Sequence, residues 1–222
     1  MEAAQSPPPA TRLPLSQERV LNAAVELADR NGIEALSMRR LAKELGVEAM
    51  SLYNHVKNKD AILSGIMDLV SSEIELPDET ADWKAALRRS AISAKEVLLQ
   101  HRWASALMLS RQDGGPAALR RSEWMLRTLR EAGFSADLTY HAYHVLGAYI
   151  QGVTNQHLAF PYKPDEIAGL ADDFLRQLPE DEYTYLIEHV RQHLEPAEEH
   201  KGGFELGLDL ILDGLEKMRD GS

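Results

Sequence analysis

Residues 37–55 read SMRRLAKELGVEAMSLYNH. Ser37 is placed to cap a short helix whose inward side is Met38, Leu41, Ala42 and Leu45, and Gly46 ends it. A second short helix follows over about Glu48 to His55, with Leu52 turned inward. Ala42, Gly46 and Leu52 stand where a helix-turn-helix needs a small residue, a tight turn and an apolar anchor. Glycine tolerates the positive φ of such a turn, and alanine lets two helices approach. Met50, Ser51, Tyr53, Asn54 and His55 are left on display. A helix of this kind fits the major groove, about 12 Å wide, and presents side chains to base edges. Ser37 can offer its hydroxyl and nearby N–H groups to a phosphate. Arg39 can fork onto a guanine edge or a phosphate, and Lys57 and Lys59 suit phosphates. Two short amphipathic helices around a glycine are also common packing units, so the pattern by itself leaves DNA binding and plain packing both open.

Around this core the chain reads as all-α. Ser16 opens a helix to Arg30, with Val20, Ala24, Leu27 and Ala28 on one face and Asn31-Gly32 as its stop. Asn58 caps another that carries Ile62, Leu63, Ile66, Leu69 and Val70. Further helices are expected over about 82–100, 102–110, from Gly115-Pro116 to Gly133, from Ser135 to about His157, over 164–177 and 180–194 (both with acidic first turns), and from Gly202-Gly203 to Arg219. Residues 1–15 hold Pro7, Pro8, Pro9 and Pro14 and read as a disordered arm. The organisation is therefore an arm over 1–15, a helix-turn-helix head over 16–62 and a helical body over 63–222.

The chain has 222 residues, no cysteine and a formal charge of −11. Residues 1–62 balance to zero, so the whole negative charge lies in the body, while 37–59 carries a local +3. A small basic segment on an acidic body suits contact with a polyanion. The absence of cysteine excludes a disulfide scaffold, a thiolate zinc site and a cysteine nucleophile. No apolar run reaches the roughly 18 residues of a membrane span, and a cytoplasmic protein is expected.

From Val20 to Ile66 the sequence resembles the DNA-binding head of TetR-family repressors. The matching runs are Ala23-Ala24 with Leu27, Asn31-Gly32-Ile33-Glu34-Ala35-Leu36-Ser37, Leu41-Ala42-Lys43-Glu44-Leu45-Gly46-Val47, Ser51-Leu52-Tyr53-Asn54-His55 and Lys57-Asn58-Lys59-Asp60. The run from Leu52 to Lys59, and the tail from Phe204 to Lys217, are similar to the tetracycline-repressor branch. The resemblance implies a homodimer whose two heads bind a near-palindromic double-stranded operator and are released by a small molecule held in each body. By position it places Ser37, Arg39, Met50, Ser51, Tyr53, Asn54, His55 and Lys59 on DNA. Met50 and Asn54 depart from the Pro and Trp of the tetracycline branch, so a different base preference is expected.

In the body, Phe204, Leu208, Ile211, Leu215 and Met218 form a 4-3-4-3 apolar seam, with Leu206, Leu210 and Leu212 off it. Gly207 and Gly214 allow close approach. This helix and that of 137–157, with Gly147 and Gly152, are expected to pair with their symmetry mates in a four-helix bundle. Three clusters are candidates for a drug-sized pocket: His101, Trp103, Leu107, Met108 and Arg111; Trp124 with Leu126 and Leu129; and Tyr140, Tyr143, His144, Gln151 and Asn155. Aligned with the tetracycline branch, Met108 stands where that branch has its metal-ligating His, Ser90 and Ala94 where it has Asn and Phe drug contacts, Glu75 in place of a drug-contacting His, and Gln156 in place of a Glu near the metal. Methionine is a poor ligand for Mg²⁺, which demands hard oxygens. A ligand other than tetracycline–Mg²⁺ is expected, with no cofactor and no resident metal. A metal-dependent enzyme built on His141/His144 or His189/His193, and a protein-binding adaptor, are the alternatives. The chain holds no HExxH, no phosphate loop and no G-x-S-x-G elbow.

Overall fold

The computed structural model describes residues 14–78, 82–110, 115–159, 164–194 and 203–221; the side chains of 109, 164–168, 193 and 194 lie outside it. So do most of the expected N-terminal arm and the candidate pocket residue Arg111. The described residues form eleven α-helices and one 3₁₀ turn: α1 (Gln17–Asn31), the turn Ile33–Ala35, α2 (Met38–Leu45), α3 (Ala49–Leu52), α4 (Lys59–Ser72), α5 (Trp83–Gln100), α6 (Arg102–Ser110), α7 (Pro116–Glu131), α8 (Ala136–Ala159), α9 (Pro164–Leu175), α10 (Thr184–Leu194) and α11 (Gly203–Asp220). None is long and apolar enough to cross a membrane.

Local chemistry sets the boundaries. Ser16, Ser37, Asn58 and Ser135 each accept a backbone N–H from the first turn of the helix that follows. Asp82 does the same for α5, accepting from Ala85 N at 3.0 Å. Pro116 opens α7 behind Gly115, as read from the sequence.

Two expected boundaries move. The second helix of the motif was expected to reach His55, but regular helix stops at Leu52. Beyond it Tyr53, Asn54 and His55 donate to carbonyls three residues back, a tighter winding than α-helix. The helix α10 starts at Thr184, because Glu182 and Tyr183 donate to Pro179 O in a turn. The acidic residues 180–182 therefore precede the helix rather than fill its first turn.

The head packs Val20, Ala24 and Leu27 of α1 against Leu36, Leu41, Leu52, Ile62 and Ile66, all essentially inaccessible. The helix α4 runs unbroken past residue 62, where the sequence places the end of the head, and its far half packs on α6 and α7. The body is a bundle in which α5, α6, α7 and α11 contact α8, while α9 and α10 pack on each other. Lys84 and Arg88 of α5 bind α11 through Glu216 and Asp209, each at 2.7 Å. Arg219 of α11 lies over the rings of Trp83 and Phe134.

The last helix corrects the expected seam. Phe204, Leu208 and Leu215 are buried, but the seam continues through Leu212, Ile211 is half-buried, and Met218 is exposed. The 4-4-3 spacing of 204, 208, 212 and 215 follows the face turned to α5 and α8 of the same chain. Gly207 also faces inward. The phenol of Tyr149 crosses it to donate to Phe204 O at 2.8 Å, with the two rings stacked. A Cβ at 207 would collide with Tyr149 Oη, whereas one at Gly214 would meet nothing within 4 Å. We therefore expect Gly207→Ala to destabilise the fold by about 1–3 kcal/mol through overpacking. Gly214→Ala should leave the fold unharmed or gain up to about 1 kcal/mol of helix propensity. Equal unfolding midpoints for the two variants in urea would contradict this.

Candidate functional site

The helix-turn-helix is built from its turn outward. Gly46 adopts φ 66° and ψ 37°, the left-handed region, and its N–H and that of Val47 close the end of α2 on Lys43 and Ala42 carbonyls. Leu52 is fully buried and Ala42 nearly so, which seats α3 across α2. Pinning Leu52 inward turns its neighbours out: Met50 is 75% and Tyr53 48% exposed, and Asn54 is exposed beside half-buried Ser51 and His55. Arg39 and Lys59 are exposed on the flanks. The Ser37 hydroxyl is engaged as an acceptor by Arg40 N, which leaves its O–H free to donate.

Six cations around the helix-turn-helix fall into two sets. Arg30 pairs with Glu44, and Arg40 donates to Asn31 Oδ1 at 2.8 Å. Arg39, Lys43, Lys57 and Lys59 have no carboxylate within ion-pairing distance among the described residues and are all exposed. The unpaired set surrounds α3, while the paired set braces α1 against α2.

The candidate pocket residues do not form one group. Ser90 and Ala94 are buried on the face of α5 that meets α8. Leu107 and Met108 are half-buried against the core. Trp124 is buried and donates to Pro77 O at 3.0 Å. Tyr143 shares a hydrogen bond with Ser122 of α7 at 2.9 Å. Gln151 and Asn155 meet Ser105 of α6, with Ser105 Oγ donating to Asn155 Oδ1 at 2.5 Å.

His144 stands apart, exposed on the outer side with Tyr140 at a ring distance of 4.5 Å. Tyr140, His144, Gln151 and Asn155 share one stripe of α8, but α6 covers only its C-terminal part. The stripe is thus divided between interior and surface.

His101 and Trp103 face the head. His101 is buried, with Nδ1 2.9 Å from Asp29 Oδ1 and Nε2 3.1 Å from Glu73 Oε2. Trp103 Nε1 donates to the same Asp29 at 2.6 Å. These side chains join α6 to α1 and to the residue after α4, so their polar atoms are directed away from the interior of the body. The carboxylates sit on opposite edges of the ring and do not converge on a shared point; among the described residues no cluster of His, Cys, Asp and Glu could hold a metal ion.

Sequence reasoning missed Asp29, Glu73 and Asp68. Asp68 Oδ1 accepts from Ala117 N at 2.6 Å, docking α4 onto the N-terminus of α7. All three carry short-range signals of ordinary surface acids, so nothing in their own segments marks their long-range partners.

Residues 20–66 match the model for bacterial regulatory proteins of the tetR family, and residues 76–219 the model for the tetracyclin repressor-like C-terminal domain. The chain is 40% identical over 139 residues to an HTH-type transcriptional regulator of Saccharopolyspora erythraea, covering 62% of this chain and 59% of that one. It is 32% identical to the class C tetracycline repressor protein of Escherichia coli, across 92% of each chain. The fold overlays on the Streptomyces coelicolor TetR-family protein ActR, solved in complex with actinorhodin, with TM-score 0.76 and 29% identity over 93% of this chain and 99% of that one.

The chain belongs to the TetR family. It is a helix-turn-helix transcriptional regulator and not an enzyme.

Within this TetR-family body the departures from the tetracycline branch have structural uses. Glu75 pairs with Arg89, and its N–H donates to Ser93 Oγ at 2.9 Å. Met108 packs on the core and Gln156 is exposed. Ser110 donates to Leu107 O, and Ser135 caps α8 where the sequence places the helix start.

With a carboxylate at each ring nitrogen, both N–H groups of the protonated His101 ring find acceptors, Asp29 and Glu73. Burial pushes its pKa down, but the hydrogen bonds and charges of Asp29 and Glu73 outweigh this and hold it above the ordinary 6.5. A raised folded-state pKa contributes stability that is fully present below the unfolded value and is lost as pH rises through the folded one. Wild type should therefore exceed His101→Gln in Tm most at about pH 6, with the gap narrowing toward about pH 9. A gap that is constant or widens with pH, measured by thermal unfolding across that range, would contradict the assignment.

Proposed function

We propose that this TetR-family regulator is a repressor that binds a near-palindromic operator as a homodimer and is released by a small molecule other than tetracycline–Mg²⁺. The observation that carries the DNA reading is the outward set on α3 and the turn after it: Met50, Tyr53 and Asn54 displayed around a buried Leu52, near Arg39, Lys43, Lys57 and Lys59, which pair with no carboxylate among the described residues. The residues proposed to touch DNA are Ser37, Arg39, Met50, Ser51, Tyr53, Asn54, His55 and Lys59. Two heads would bring eight unpaired cations to the duplex, and that number sets the salt response. We expect affinity to fall by about 10³–10⁵ between about 50 and 200 mM salt. Arg39→Ala should cost about 1–3 kcal/mol at the specific site if the guanidinium reads a guanine. Titrating the purified protein on DNA upstream of its own and neighbouring genes, with excess nonspecific competitor, tests this. A footprinted near-palindrome supports the reading, whereas salt-insensitive or absent binding to every sequence, a random pool included, removes it. Equal loss for all sequences would make Arg39 a phosphate contact.

The homodimer rests on a second observation. Tyr140, Val145, Leu206, Leu210 and Met218 stand exposed on α8 and α11, and Cβ atoms built at Gly147, Gly152 and Gly214 would meet open space. Apolar exposure on two helices that contact each other suits a symmetric four-helix contact. Leu210→Glu, which disturbs no buried contact of its own chain, should yield a folded monomer by light scattering that no longer binds the operator. A dimer of unchanged mass would place the interface elsewhere. The effector site is proposed in the interior of the body, among Ser90, Ala94, Leu107, Met108, Trp124, Tyr143, Gln151 and Asn155. Support comes from the polar Ser105–Gln151–Asn155 group set in apolar surroundings, and from ActR as a ligand-bound relative.

A further inference from the structure

On α7, Ala117, Arg121, Met125 and Leu129 recur every four residues, and Ala117, Met125 and Leu129 are buried. Residues so spaced share one helix face. Arg121 therefore stands in the stripe that packs toward α4 and α8, where a charge is out of place. Its guanidinium has no carboxylate, carbonyl or hydroxyl within hydrogen-bond reach among the described residues, and the one ionisable group close enough to act on it is the phenol of Tyr143. In contrast, Arg30, Arg88, Arg89, Arg176, Arg191 and Arg219 each pair with a carboxylate. Desolvation draws the Arg121 pKa below its ordinary value, yet the residue is half-buried and not sealed from solvent. A desolvated cation that water still reaches can also be reached by a solute.

An uncompensated charge in such a place is costly, and removing that cost favours whatever anion can enter. The guanidinium offers a planar fork of N–H donors whose match is a carboxylate or a similar oxyanion. Tyr143 OH, already bonded to Ser122 Oγ, stands beside it as a second polar group, and Trp124 lies one turn further along α7.

We propose that Arg121 is the anchoring residue of the effector site and that the effector is an organic anion with an apolar, ring-bearing body. This rests on the reading of the body as effector-responsive. Arg121 stands outside the set of pocket candidates read from the sequence.

The test uses two fluorogenic dyes of one skeleton on the full chain. They are 8-anilino-1-naphthalenesulfonate, which is anionic, and N-phenyl-1-naphthylamine, which lacks the sulfonate. The anion should bind saturably and about tenfold or more tighter than the neutral dye. Arg121→Met should lose that advantage while binding the neutral dye as before, and Arg121→Lys, which keeps the charge without the fork, should fall between. Equal binding of the two dyes, unchanged in Arg121→Met, overturns the anionic effector and leaves an effector cavity standing. Parallel loss of both dyes in Arg121→Met and Arg121→Lys makes Arg121 a structural residue and also overturns it. No saturable binding of either dye to the wild type overturns the effector cavity itself and this proposal with it.

Discussion

The structure depends on one helix shared by the head and the body. Ile62 and Ile66 of α4 complete the apolar centre of the head, and Val70 and Ile74 extend the same buried line toward the body. At the body end Asp68 holds the first turn of α7, and Glu73 holds the imidazole of His101. An α-helix of fourteen residues is a rod of about 21 Å. Such a rod, seated at one end among α1, α2 and α3 and hydrogen-bonded at the other to α6 and α7, does not shift at one end alone. The contact of α1 with α6 through Asp29, His101 and Trp103 gives a second attachment beside it. The head is therefore held by charged, directional bonds as well as by packing, and these break at defined geometry rather than yielding gradually.

The head was legible because its information is local. Ser16, Ser37 and Asn58 cap the helices that follow them, Gly46 turns in the left-handed region, and Leu52 is the anchor. Each of these features is decided within four residues. The body yielded its helices for the same reason but not the destinations of its side chains. On α8, Tyr140 and Gln151 occupy the same stripe, and only the distant α6 decides that one is covered and the other is not. On α11 the apolar residues exceed what one seam holds, and the choice of Leu212 over Ile211 depends on the placement of α5. His101 and Trp103 read as pocket lining because aromatic and polar groups together suit a ligand. They suit equally a buried joint with two acids, and Asp29 and Glu73 are 72 and 28 residues away from His101.

The charge distribution gives the anionic effector a physical logic. The chain carries −11, all of it after residue 62, so an anion approaching the body is repelled by the mean field. An exposed lysine would add little against that field in water and salt. A guanidinium inside the body acts at short range in a medium of lower effective dielectric, where the same pair of charges attracts several times more strongly. The free protein bears the cost of that isolated cation and the bound protein does not. On the proposal that the effector is an anion held by Arg121, its binding favours whichever arrangement of α7 lets it reach that residue. Ala117, one turn before Arg121, is the residue whose N–H is held by Asp68 of α4. Under that proposal a ligand that selects a position of α7 also biases α4 through the Asp68–Ala117 bond, and the differential affinity that release of DNA requires would run from that charge toward the head.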